Sequence, residues 1–320
     1  MDPCPENLGP FKRDNIDTVL AWALDRGETA IGLRITAALW WYWVHHGNLR
    51  QGRRTVIALL AADAGRAPDP VRAKAMVAAG WLSVHQGDTG EARKWFDDAL
   101  ALARACQDRW CTASAITGLG TAGVWEDAPD HERQRERLGE ACTRWRELGD
   151  APGLQMAQAA LGALELFQGN FGLARSVMRD CRDTARRIGA PGTMAVTACL
   201  QGVIARATAD VAAATGYFRS ALRGGYALGD PFTMAYSLEG LAWAARSNDA
   251  PVRAARLLGA AEGLRAIIDS PIVTGNQVGH RAEVIALRDQ LGTRAFRQAR
   301  AAGRRQPLAE VIAAALDRSP

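Results

Sequence analysis

Strand-forming residues and lysines are both scarce in this sequence of 320 residues. Ile, Val, Thr and Tyr are sparse beside Ala and Leu, which argues against a sheet and favours helices throughout. Lysine occurs only at positions 12, 74 and 94, so the formal net charge of +5 depends on arginines. These alternate with Asp and Glu, as in HERQRERLGEACTRWREL, which is typical of a solvated helix face. With no long basic run, we expect an all-α protein that binds neither nucleic acid directly nor a membrane surface.

Several segments that would mark a compartment or a cofactor are also missing. No stretch is apolar over the roughly 18 residues that a transmembrane helix needs, and the start MDPCPENLGPFKRDN lacks the apolar part of a secretory signal. The six cysteines form no C-x-x-C pair, which favours a reducing cytoplasm. Neither a P-loop nor a cluster with metal-ligand spacing occurs, so we expect no cofactor and no metal.

Short turn signals divide the chain into similar segments. One series recurs about every 40 residues, as HGN at 46–48, QGD at 86–88, WED at 125–127, QGN at 168–170, TAD at 208–210 and SND at 247–249. A second series lies between its members, as CQD ending at 108, LGD at 148–150, IGA at 188–190 and LGD at 228–230. The interval between the two series is about 20 residues, which is one helix plus its turn.

Small residues keep the same register. The glycines at 80, 120, 162 and 202 are separated by 40, 42 and 40 positions. Residues 12, 16 and 19 positions after Gly80 and Gly202 are Ala, Phe and Ala in both cases. This pattern matches the tetratricopeptide (TPR) repeat, in which a small residue allows two helices to cross closely and large apolar residues fill the second helix.

A TPR helix pair cannot bury its apolar face alone, whereas a stack of pairs can. We therefore predict an all-α, TPR-like, right-handed superhelical solenoid of about six helix pairs with a period near 40 residues, plus C-terminal capping helices. The predicted domains are an N-terminal arm at 1–15, a TPR-like repeat array at 16–268 and C-terminal capping helices at 269–320.

Three stretches resemble the MalT-like TPR region of large bacterial LuxR- and AfsR-type regulators, in which a signal-transduction ATPase precedes the repeats. Residues 14–54 resemble the entry to that region, 250–267 its last helix pair, and 287–316 its closing helices. The resemblance implies that an effector binds the repeats and relieves inhibition of the ATPase and DNA-binding parts. Because the sequence has no P-loop and ends at ALDRSP without a helix-turn-helix, the resemblance extends to the repeat region of such a transcriptional regulator alone.

Other motifs have simpler structural interpretations. GLGTAG at 118–123 has the spacing of a dinucleotide-binding fingerprint, but RWCTASAIT before it is typical of a helix and not of the strand this motif follows. Adjacent residues on a helix point about 100° apart, so His45 and His46 are poorly placed to share one metal ion. Cys111, Cys181 and Cys199 are interpreted as buried small apolar side chains.

The repeat register predicts a concave groove lined by the first helix of each pair. Residues one and five positions after the small crossing residue point into this groove, and several of them are aromatic or histidine. Aromatic side chains supply a large contact area for a partly apolar ligand. Together with the deeper Arg206, the predicted ligand-binding residues are Trp41, His45, Trp81, His85, Trp125, Phe167, Arg206 and Trp243.

These features predict a ligand- or protein-binding TPR sensor or scaffold, whose effector is a small molecule or a peptide in the groove. One alternative is a free-standing enzyme acting on a hydrophobic biosynthetic molecule, with His45 and His85 as acid and base and with Glu239 and Tyr236 in the same cavity. No nucleophile triad or cofactor motif supports that alternative. A second alternative is a protein-interaction adaptor whose groove is filled by other parts of the chain.

Overall fold

Helices account for the regular secondary structure in the part of the chain that the computed structural model describes, which is residues 10–46, 48–124, 130–268, 270–272 and 274–317. Residues 10–14, 45, 46 and 274–278 are described by their backbone only. The predicted all-α fold is confirmed. None of the described helices is long and apolar enough to cross a membrane.

The chain forms two compact units, Met1–Leu154 and Gln155–Pro320. The first contains α1 (Pro10–Arg26), α2 (Thr29–His46), α3 (Leu49–Asp63), α4 (Asp69–His85), α5 (Thr89–Ala105), α6 (Arg109–Val124) and α7 (His131–Leu148). The boundary falls within α8 (Ala151–Phe167). The second unit continues with α9 (Phe171–Ile188), α10 (Pro191–Ala207), α11 (Val211–Ala227), α12 (Pro231–Ser247), α13 (Pro251–Ile268), α14 (Thr274–Leu291), α15 (Thr293–Arg305) and α16 (Leu308–Leu316).

The predicted helix pairs are present. Six consecutive pairs, from α2 and α3 to α12 and α13, follow the two series of turns, and their first helices end at the first series. This confirms the TPR-like repeat with its period near 40 residues. The domain boundaries placed at residues 15 and 268 stay predictions, and α1 begins at Pro10.

The same turn geometry connects consecutive helices within each of the two units. In the first unit Gly87 takes a left-handed φ of 79°, and the Asp88 side chain then accepts a hydrogen bond from the Glu91 amide at 3.0 Å. In the second unit Ala209 takes a φ of 56°, and Asp210 accepts from the amide of residue 213 at 2.9 Å. A left-handed residue ends one helix and an Asp N-cap starts the next, so the repeated turn signals have a structural cause.

The crossing glycines leave room for large side chains of the second helices. Phe96 of α5 is completely buried, and its ring contacts both Gly80 and Gly118, where a Cβ atom would overlap the ring. Phe218 of α11, which is 1% exposed, lies in the same way against Gly202 and Gly240. Each ring therefore joins the first helix of its own pair to the first helix of the next pair, which is how neighbouring repeats share one core.

The helices after the last pair complete the core of the second unit. Leu287, Phe296 and Val311, from α14, α15 and α16, belong to the same buried cluster as Phe218 and Leu258. Helices α13 and α15 approach so closely that a Cβ atom on Gly259 would overlap the backbone of residue 300, and one on Gly303 would overlap the backbone of residue 256. The predicted capping helices thus cover an apolar face that the last repeat cannot bury alone.

Because α13 and α15 touch through their backbones, Gly303→Ala is expected to lower the free energy of unfolding by about 1–3 kcal/mol. The added methyl group would meet the Arg256 carbonyl group, which cannot rotate away as a side chain can. The matched control is Gly263→Ala on α13, where a Cβ atom would lie 3.6 Å from Arg304 in ordinary contact. This control is expected to keep or gain up to about 1 kcal/mol through helix propensity. Urea denaturation followed by circular dichroism measures both variants, and equal losses would contradict the close crossing.

Candidate functional site

In the first unit the predicted site residues Trp41 and Trp81 belong to a continuous aromatic stack. The Trp40 ring contacts Trp41 edge-on at a centroid distance of 5.0 Å and stacks on Trp81 at 5.7 Å with an interplanar angle of 13°. Trp81 then meets Phe96 edge-on at 5.4 Å. Trp41 is half-buried, but Trp81 is only 5% exposed, so protein already covers most of its indole. Sequence register alone did not reveal that Trp40 lies between the two.

The histidine positions of the first unit are described unevenly. His85 is half-buried at the end of α4. His45 lies in α2, but its side chain is outside the described part of the structure, as is the whole of Trp125. Among the described residues, no group of three or more His, Cys, Asp or Glu could hold a metal ion. The roles predicted for His45, His85 and Trp125 stay predictions.

GLGTAG at 118–123 lies within the continuous helix α6 and not in a strand-to-helix turn. Gly118 faces Phe96, Gly120 faces Leu138, and Gly123 faces Gln134. These glycines are therefore helix-packing positions, as the sequence indicated for Gly120.

The second unit brings four predicted residues into one group of charged and aromatic side chains, which we call the arginine–aromatic cluster. It comprises Arg206 of α10, Tyr236, Glu239, Trp243 and Arg246 of α12, Arg265 of α13, and His280 and Glu283 of α14. Phe167 lies elsewhere, at the end of α8, and is 41% exposed.

The innermost pair of the cluster is Arg265 with Glu239. The Arg265 guanidinium donates from Nε at 2.6 Å and from Nη2 at 3.0 Å to the two carboxylate oxygens, and it lies 4.4 Å from the Tyr236 ring centroid. Its side chain is 7% exposed. Burial lowers the pKa of Arg265, but the hydrogen bonds and charge of Glu239 raise it more, so the net pKa is above its usual range. Both Glu239 oxygens and the Tyr236 ring are thus engaged by the same cation.

A second bidentate pair connects α12 to α14. Arg246 donates to Glu283 from Nε at 2.7 Å and from Nη2 at 3.1 Å, and the Glu283 side chain is 7% exposed. The hydrogen bonds to Glu283 raise the pKa of Arg246 above its usual value. Helix α14 therefore lies against the part of α12 that the sequence places in the groove.

Arg206 differs from the other two arginines because it forms no ion pair with a carboxylate of the described residues. Its guanidinium carbon lies 5.7 Å from the Trp243 ring centroid, and it donates no hydrogen bond to any residue that the structure describes. Burial lowers the pKa of Arg206, Glu283 and Glu239 oppose that effect by their charge, and Arg246 adds to it. The net pKa is below its usual value, which indicates a cation removed from water with incomplete compensation.

His280 of the cluster and the neighbouring Cys199 are both kept uncharged. Burial lowers the pKa of His280, and the charges of Arg265 and Arg300 add to that effect while Glu239 and Glu262 oppose it. Burial, with the charge of Glu239, raises the pKa of the Cys199 thiol to about 12. Neutral His280 and protonated Cys199 therefore surround the ion pairs near neutral pH.

Sequence reasoning missed half of this cluster. It singled out Arg206, Tyr236, Glu239 and Trp243, but not the other four members, Arg246, Arg265, His280 and Glu283. Arg265, His280 and Glu283 come from helices outside the first-helix register. Arg246 follows the small crossing position Ala242 by four residues, as Arg206 follows Gly202, and this spacing was the one signal that could have indicated it.

Comparisons with known proteins bear on the fold. No protein-family model matches the sequence, and no curated protein matches it. Among solved structures, the chain is similar to a protein described as "Crystal Structure of Rap Protein Complexed with Competence and Sporulation Factor". The similarity has a TM-score of 0.55 at 10% identity and covers 95% of this chain and 96% of that chain. At this identity the match speaks for the fold alone, and the chain has a TPR-like helical repeat fold.

Proposed function

We propose that this chain is an effector-binding TPR-type module that takes a peptide or small molecule on the first helices of its repeats. The observation that carries the proposal is the contact between the Arg206 guanidinium and the ring of the half-buried Trp243. This guanidinium donates no hydrogen bond to the residues that the structure describes. The solved complex of a Rap protein with Competence and Sporulation Factor supports it, because a protein of similar fold there holds a second molecule.

We further propose that the module is the repeat region of a LuxR- or AfsR-type transcriptional regulator, as the resemblance of residues 14–54, 250–267 and 287–316 implies. In that case effector binding would act on ATPase and DNA-binding parts outside this sequence. The predicted cytoplasmic location belongs to the same proposal.

The enzymatic alternative receives no support from the described residues. Glu239 and Tyr236, its candidate partners for the histidines, are both engaged by Arg265. The adaptor alternative gains one observation, since α14 packs on α12 through Arg246 and Glu283. We retain the effector-binding proposal because Arg206 and Trp243 stay half-buried beside that contact.

A ligand screen on the purified chain tests the proposal. Peptides and metabolites are screened by intrinsic tryptophan fluorescence and by thermal shift, because a ligand that binds only the folded state raises the melting temperature. We expect at least one ligand to change both signals, and Trp243→Leu to weaken its binding at least about 10-fold, as loss of an aromatic anchor does.

The matched control is Trp22→Leu, because the Trp22 indole is 46% exposed and lies on α1, outside the predicted surface. Its affinity for the ligand is expected to equal that of the unmodified chain. The effector-binding proposal fails if no ligand changes either signal. Our assignment of the surface is wrong if Trp22→Leu weakens binding as much as Trp243→Leu does.

A further inference from the structure

We propose that Arg206 is the anchor for a single carboxylate group of the effector, held against Trp243 in the second unit. This inference rests on the proposed function and names the chemical class that its site takes. It depends on the contrast between Arg206 and its two neighbouring arginines.

Two other arginines of the cluster can be compared with Arg206 by the hydrogen bonds that their guanidinium groups donate. Arg265 and Arg246 each place two nitrogens on a carboxylate, at 2.6 and 3.0 Å and at 2.7 and 3.1 Å. Arg206 has the same fork of donors but uses none of them in a hydrogen bond to the described residues. A partly desolvated guanidinium that donates no hydrogen bond to the described residues costs stability, and a role in binding a ligand would account for its presence.

The contact with Trp243 does not use the hydrogen-bond donors of Arg206. The indole lies beneath the guanidinium at 5.7 Å and attracts it through the ring, which requires none of its N–H groups. On α14, Gly279 faces Arg206 without a side chain, and a Cβ atom built there would lie 4.0 Å from Nη2 of Arg206. A planar carboxylate can therefore meet the fork in the bidentate geometry seen in the two neighbouring pairs.

The charges around Arg206 favour a monoanion over a phosphate dianion. The ionic groups that act on it are Glu283, Glu239 and Arg246, and the two glutamates are already balanced by Arg246 and Arg265. His280 is kept neutral by burial. Counted over its described members, the cluster therefore has one positive charge in excess, which one carboxylate neutralises, whereas a dianion would add repulsion from Glu239 and Glu283.

The first test needs no ligand. If Arg206 is retained for binding, Arg206→Met is expected to keep or raise the melting temperature of the chain, because Met packs on aromatic rings and removes the desolvated charge. Arg265→Met, in the same cluster, is expected to lower the melting temperature clearly. A fall for Arg206→Met as large as that for Arg265→Met would give Arg206 a structural role and overturn the inference.

The second test uses two defined sets of probes. One is a pool of pentapeptides with free C-terminal carboxylates, compared with the same pool as C-terminal amides. The other is phenylacetate and indole-3-acetate, compared with their primary amides. Retention on the immobilised chain is measured by mass spectrometry, and the two sets distinguish a peptide source of the carboxylate from a small-molecule source.

We expect the acid forms of one set to be retained and their amides to bind at least 10-fold more weakly. The affinity of Arg206→Met for the acid forms is expected to fall by the same factor. Arg206→Lys is expected to bind with intermediate strength, since it keeps the charge without the fork. The inference is overturned if amides bind as well as acids, if Arg206→Met binds the acids normally, or if inorganic phosphate displaces them at lower concentration than acetate does. If ligands are found whose binding ignores Arg206, the proposed function stands without this inference. If neither these sets nor the fluorescence screen yields any ligand, both fail.

Discussion

Replacing Phe218 with alanine is expected to lower the free energy of unfolding by about 3–5 kcal/mol. The ring is 1% exposed and fills the space between Gly202 of its own repeat and Gly240 of the next one. Neither glycine has a side chain that could move into the space left by the ring, so a cavity between two repeats remains. Urea denaturation followed by circular dichroism measures the loss, and hydrogen exchange shows whether it falls on the second unit.

The chain itself supplies the matched control for this prediction. Leu138 and Met178 fill the corresponding positions against Gly120 and Gly162. Phe218→Met therefore introduces the side chain that the α8–α9 repeat already has at this position, and it is expected to cost less than about 1.5 kcal/mol. If the Ala and Met variants lose equal stability, the ring does not connect the repeats by filling volume.

Replacing Arg265 with methionine is expected to lower the free energy of unfolding by about 3–5 kcal/mol, because Glu239 would remain largely buried with its charge uncompensated. The Glu239 side chain is 16% exposed and its two oxygens both accept hydrogen bonds from Arg265. The loss reflects the unpaired carboxylate more than the strength of the ion pair itself.

A double-mutant cycle separates these two contributions. Arg265→Met combined with Glu239→Gln removes both charges, and it is expected to be clearly more stable than Arg265→Met alone. The unmodified chain, Arg265→Met, Glu239→Gln and the double variant are measured by urea denaturation under identical conditions. If the two losses simply add, Glu239 does not depend on Arg265 and the assignment of the pair is wrong.

The repeat and its turns could be predicted from sequence because their signals are local. The same turn is formed by Gly87 with Asp88 and by Ala209 with Asp210, so two adjacent residues are enough to specify it. The spacing from Gly202 to Phe218 likewise predicted a close helix crossing, since a glycine and a large residue 16 positions on meet within one helix pair. The division of the chain into two units within α8 has no such local signal and was not predicted.

The candidate site could be predicted only in part, because register tells which face of a helix a residue occupies but not what covers it. Trp81 follows the groove register, yet stacking on Trp40 and contact with Phe96 leave it 5% exposed. Glu239 was singled out, but its partner Arg265 lies 26 residues further on, in the second helix of the pair.

The helices, their pairing and the small residues at the crossings follow from local sequence, since helix period, capping and volume act over a few tens of residues. Which charged groups meet depends instead on how distant helices pack. This packing brought α13 and α14 to α12, where Arg265 and Arg246 each pair with a glutamate, and it placed Arg206 on Trp243 without a carboxylate partner among the described residues. The physical reason is that burial and ion pairing depend on distant helices and on side-chain rotamers, which no local pattern contains.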